Sequence, residues 1–69
     1  ALAALFREAP DGATRVSVRS VAPWDAAAIC AQFGGGGHIR AAGCTLRMGL
    51  AEAQAAFIPA LVAALGERK

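Results

Sequence analysis

The chain is poor in the residues that build metal centres and covalent cross-links. It has two cysteines, Cys30 and Cys44, and a single histidine, His38. A structural zinc site takes about four ligands of these kinds, and no CxxC pair or second histidine is present to supply them. The two cysteines therefore read as small buried thiols in a reducing compartment. The same shortage argues against an independent catalyst. Five acids are scattered along the chain, and no serine pairs with His38 in an obvious triad. General acid–base chemistry needs its groups within hydrogen-bond reach, and nothing in the spacing brings them there. Charge is scarce as well, with 17% charged residues and a net charge of +2. That is too little for an obligate duplex-DNA binder. Six of the seven cations are arginine, which favours planar, bidentate contacts to phosphate. No basic segment precedes the apolar start, as a secretory leader would require. The longest late uncharged run, 53–66, is shorter than the roughly 20 residues that cross a bilayer and contains Pro59. These absences predict a soluble cytoplasmic protein with no membrane segment.

Large apolar side chains are few, because nineteen residues are alanine. Leu, Val, Ile, Phe, Trp24 and Met48 suffice for one small core within the 69 residues. A domain this small buries only about 60% of its unfolded surface, and such domains lean on disulfides, metals or partners. The chain is apolar from its first residues, with no initiator Met. This predicts a single domain over residues 1–69 that is cut from a longer protein.

Pro10-Asp11-Gly12 is a turn signal. After it, Thr14-Arg15-Val16-Ser17-Val18-Arg19-Ser20 alternates, valine inward and Arg or Ser outward. Ala1 to Phe6 has helical propensity, but an isolated strand needs a partner, and Leu2 to Glu8 across the turn is the nearest segment. A hairpin is expected. Asp25 is placed to cap a short helix over 26–33, with Ile29 and Phe33 on one stripe. Gly34 suits the left-handed position that ends it. Ala41 to Met48 alternates again, with Ala42, Cys44, Leu46 and Met48 on one face. Gly49 with Glu52 opens a last helix whose face of Leu50, Ala53, Phe57, Leu61, Ala64 and Leu65 turns toward the sheet. Pro59 predicts a kink or break near Ile58, while Arg68 and Lys69 suit the negative pole of that helix. The order is strand-strand-helix-strand-helix, an α+β fold with two helices on one face of a three-stranded sheet.

The sequence's most unusual feature is Gly34-Gly35-Gly36-Gly37. Glycine loses more backbone entropy on folding than any other residue, so four in succession in a small domain imply a purpose. Successive bare N–H groups can form a concave nest that binds anions. If the chain runs extended after the loop, His38 and Arg40 share one side and Ile39 turns to the core. An imidazole and a guanidinium beside bare amides would make a donor-rich phosphate site. Arg19 and Ser20, at the end of the second strand, approach the same edge. Ala41-Ala42-Gly43 leaves the neighbouring backbone approachable. A P-loop is excluded by the missing Lys-Ser/Thr. A dinucleotide fingerprint is excluded because the sixth position from Gly34 is Ile39, and from Gly35 it is Arg40. Taken singly, each piece has a bland reading: a flexible glycine linker, a surface histidine, solvated arginines. As one block, 34–43 favours function.

The string from Phe33 to Gly43, Phe-Gly-Gly-Gly-Gly-His-Ile-Arg-Ala-Ala-Gly, resembles the signature of the DHH-associated C-terminal domain of DHH-family phosphoesterases. It is most similar to the oligoribonuclease and pAp-phosphatase, nanoRNase-like branch. Val16-Ser17-Val18-Arg19-Ser20 resembles that branch's strand ending in Arg-Ser. The resemblance covers Leu2 to Leu65. It implies a substrate-binding domain that closes over a separate Asp-His-His catalytic domain carrying two Mn²⁺ ions. It further implies that the glycine backbone, His38 and Arg40 hold the phosphate or terminal nucleotide of a short RNA or of pAp, with Arg19 and Ser20 in support. None of the family's metal-binding acids lies in this chain, and the resemblance implies only a fragment of the associated domain without its early part, so catalysis, and the hydrolase activity with it, would belong to the missing domain. The resemblance also allows a homodimer of the full-length protein. Competing readings are the associated domain of an alanyl-tRNA-editing protein or of a RecJ-like single-strand exonuclease, and a purely structural domain. The continuation His38 to Gly43 speaks against the editing type.

Overall fold

The computed structural model describes residues 2–66. Its elements run β1 (Leu2–Glu8), β2 (Thr14–Ser20), α1 (Ala26–Ala31), β3 (Gly36–Gly37), β4 (Ala41–Leu46) and α2 (Leu50–Gly66). The sheet is antiparallel in the order β1-β2-β4-β3. The class is α+β as expected, but the sheet has four strands, because half of the glycine run is itself a strand.

The first hairpin forms where the alternation put it, with Leu2 opposite Ser20 and Glu8 opposite Thr14. Its turn is closed by Asp11, whose Oδ1 accepts from the Ala13 N–H at 3.1 Å. That contact, with Arg47 beside it, holds the exposed Asp11 carboxyl below its ordinary pKa. Thr14, Val16, Val18 and Ser20 are buried on one face of β2, and Arg15, Ser17 and Arg19 are exposed on the other. Pairing carries that division across the sheet: Cys44 lies opposite Val16 and Ala42 opposite Val18, while Thr45, Gly43 and Ala41 lie opposite Arg15, Ser17 and Arg19.

Both helices pack on the valine face. Ala26, Ile29 and Cys30 of α1 and Ala53 and Phe57 of α2 join Val16, Val18, Cys44 and Leu46 in one core. Phe57 is its centre, fully buried, edge-on to Phe6 at 5.8 Å and tilted against Phe33 at 4.8 Å between ring centroids. Among the described residues no helix packs on the opposite sheet face.

Several local expectations need correction. Helix α1 ends at Ala31, because the N–H groups of Phe33 and Gly35 turn back to the Cys30 carbonyl. Strand β4 stops at Leu46, two residues early. Leu65 is exposed, so the inward stripe of α2 ends near Leu61 and Ala64. Helix α2 runs unbroken through Pro59, which sits on its exposed side. The Asp25 cap is present, its Oδ1 accepting from the Ala28 N–H at 3.0 Å. Gly49 opens α2 through its carbonyl, which accepts from the Ala53 N–H. The dipole role assigned to Arg68 and Lys69 lies outside the described residues. Among the described residues no helix is long and apolar enough to cross a membrane.

Candidate functional site

The glycine run is not an open nest of amides. The Gly34 N–H donates to the Ala31 carbonyl at 3.1 Å and the Gly35 N–H to the Cys30 carbonyl at 3.0 Å. Both therefore close the end of α1. His38 and Ala41 exchange two backbone hydrogen bonds, His38 N–H to Ala41 O at 2.8 Å and Ala41 N–H to His38 O at 3.1 Å. Antiparallel ladders alternate hydrogen-bonded and non-bonded pairs. Gly36 and Gly43 are thus a bonded pair and Gly37 and Ala42 a non-bonded one. Only the Gly37 N–H is left facing the free edge of the sheet.

Each glycine has its own physical reason. Gly34 sits at φ +81° and ends the helix in the left-handed region. A Cβ on Gly35 would meet the Gly43 carbonyl at 2.2 Å and the Cys44 Cβ at 2.5 Å, so the run lies directly on β4 there. Gly37 combines φ +143° with a Cβ position 2.7 Å from the Ala42 Cα. Gly36 is different: a Cβ there would meet nothing within 4 Å. The fold does not require a glycine at Gly36.

Gly36 opens onto the helix-free face. A shallow groove of about 370 Å³ is lined there by Gly36, Gly43, Ala41, Ser17 and Arg19. Its floor is nearly bare backbone, because Gly36, Gly43 and Ser17 form one row across β3, β4 and β2. The Arg19 side chain supplies the positive charge at one rim. The exchanged bonds with Ala41 put His38 opposite that residue, in the row of Arg19.

The structure does not keep the other expected residues in the same place. Ile39 and Arg40 are the two central residues of the β3–β4 turn, so the chain is not extended after His38. Ile39 is 51% exposed and does not enter the core. The Arg40 guanidinium donates to the Trp24 carbonyl at 2.9 Å and reaches the Ser20 Oγ at 3.5 Å. Ser20 lies on the buried face, 8% exposed, its hydroxyl within bonding distance of the Ile39 carbonyl at 2.8 Å and the Trp24 carbonyl at 3.0 Å. Ser20 and Arg40 therefore lock the β3–β4 turn to the segment after β2. Ser20→Ala should lower stability by about 1–3 kcal/mol, the usual cost of stranding buried acceptors, and leave ligand affinity unchanged in the folded fraction. Thermal melts paired with a titration check both halves.

Ser17 did not stand out in the sequence, although its outward place between Arg15 and Arg19 in the alternation is the signal that finds it. The thiols are not part of the groove. Burial, then the neighbouring Cys44 thiol, pushes Cys30 up to about 11, and burial also raises Cys44. Both stay protonated and weakly nucleophilic at neutral pH. Among the described residues no three of His, Cys, Asp and Glu gather as a metal set.

A family model described as DHHA1 domain matches residues 1–67. No curated protein matches the chain.

Proposed function

The chain belongs to the DHHA1 domain family, which accompanies DHH-family phosphoesterases, and on that premise we propose that its helix-free groove holds a phosphate of a nucleotide or short RNA for a Mn²⁺-dependent catalytic domain elsewhere in the protein. The observation that carries this reading is Gly36. Three glycines of the run are explained by helix ending, close packing or backbone conformation. The fourth faces open space beside Arg19. A missing side chain that the fold does not need is best accounted for by something that must approach the backbone there. Arg19 offers the fork that matches a phosphate, and His38 occupies the same row on the far side of Ala41. The substrates in view are short oligoribonucleotides or pAp, whose phosphates are small enough for an open, shallow groove.

Removing the charge tests this directly. Hydrogen bonds to charged groups contribute about 1.5–3 kcal/mol, so Arg19→Gln should weaken pAp or dinucleotide binding by roughly tenfold or more. Stability should be unchanged, because Arg19 is exposed. Equal affinity in calorimetric titrations of the two proteins would remove Arg19 from the site.

A further inference from the structure

The helix-free face does not end at Arg19. Two residues before the bare row, Arg15 lies on the same face and directly opposite Arg7 of β1. Like charges paired across adjacent strands are destabilising, yet the sheet carries this pair. Arg47 joins them, and the three guanidinium-bearing side chains line a depression of about 500 Å³ with Ser17, Thr45 and Gly43. Arg47 is bonded to Asp11 at 3.0 Å. Among the described residues Arg7 and Arg15 have no acidic partner within salt-bridge distance. Ser17 and Gly43 line both this depression and the Arg19 groove, so the two form one continuous track along β2.

We propose that the Arg7–Arg15–Arg47 depression is a second phosphate site, which extends the Arg19 groove into a track for a single-stranded oligonucleotide of several residues. The proposal rests on the phosphate reading of the Arg19 groove. Arg15 is four residues from Arg19 on one strand, about 14 Å at the usual rise. The two phosphates flanking one ribose do not span that distance, so a mononucleotide engages one site only. A longer strand engages both, its backbone crossing the Ser17–Gly43 floor past the small Ser17 side chain, with exposed Leu5 at its flank. The chemistry is that of sequence-independent backbone binding, arginine forks on phosphate oxygens. It selects for chain length and not for base.

Binding of fluorescein-labelled di-adenylate and penta-adenylate ribonucleotides to the chain, by anisotropy across salt concentrations, tests this. The wild type should bind the pentamer at least about tenfold tighter than the dimer. The variant R7Q/R15Q should lose that gain and bind the dimer unchanged. Its salt slope for the pentamer should be shallower by about 0.7, the value of one phosphate contact on a single strand. Its melting temperature should hold or rise, since a repulsive pair is gone; R47Q serves as a second probe of the same site. Pentamer binding by R7Q/R15Q equal to wild type overturns the proposal. So does an equal loss of affinity for a poly-glutamate peptide, which would assign the patch to an acidic protein surface. The groove reading fails separately, if R19Q leaves dimer binding intact.

Discussion

Gly35→Ala lowers the melting temperature of the chain by roughly 12–24 °C, the scale of about 3 kcal/mol in a domain this small. The added methyl would sit 2.2 Å from the Gly43 carbonyl and 2.5 Å from the Cys44 Cβ. Neither neighbour can yield cheaply. Gly43 is a central residue of β4, hydrogen-bonded across the sheet, and Cys44 is in the core. To admit the methyl, β3 must lift from β4, which breaks the Gly36–Gly43 pairing and pulls on the Gly35 N–H bond to Cys30. A domain of this size has a few kcal/mol to lose. Circular dichroism melts measure it; a fall below about 4 °C, the smallest shift expected of 1 kcal/mol, would mean that the glycine run does not press on the strand.

Gly36→Val gives the opposite pattern. Its side chain enters open space on an exposed edge strand, where a β-branched residue is at home. Stability should stay level or rise by about 0.5 kcal/mol, since the unfolded chain loses freedom. Binding should fall, because the isopropyl group occupies the floor on which the phosphate would rest. Overpacking a fitted site costs roughly 1–3 kcal/mol, which is about tenfold to a hundredfold in affinity. The pair of substitutions one residue apart thus separates folding from binding. A Gly36→Val protein that melts like the wild type and binds pAp like the wild type would leave Gly36 without a function.

The first hairpin is legible in the sequence because Val16 and Val18 alternate with arginine and serine after a Pro-Asp-Gly turn, and one face must be buried. The helices are legible through Asp25, Gly34 and Gly49, residues whose local chemistry acts within three or four positions. The glycine run is legible as unusual, but not as a strand. Glycine has no side chain to show a period of two, so only the pairing to Ala42 and Gly43 reveals β3. The same blindness misplaced Ile39 and Arg40. The turn they form is set by the backbone exchange between His38 and Ala41, which no side-chain pattern announces. Ser20 and Arg40 were expected beside a ligand and instead hold the turn, because a hydroxyl on the inward face of β2 must find acceptors within the protein. Arg19 and Gly36 line one groove from either side of β4 although they are 17 positions apart, a juxtaposition that follows only from strand order.

The placement has a consequence for how such a domain works. Its core occupies one face of the sheet and its groove the other, so the groove residues can vary without disturbing Phe57 and the valines beneath them. The groove is open on its outer side, so on the proposed reading a phosphate held there would stay accessible to a separate catalytic domain.

The most direct measurement is a residue-resolved amide titration of the chain with adenosine 3′,5′-bisphosphate. The ligand should shift Ser17, Arg19, Gly36, Gly37 and Ala41 to Gly43 together, with the core amides of Val16 and Phe57 little changed. Shifts confined to α2, or their absence along Arg19, Gly36 and Gly43, would contradict the phosphate groove.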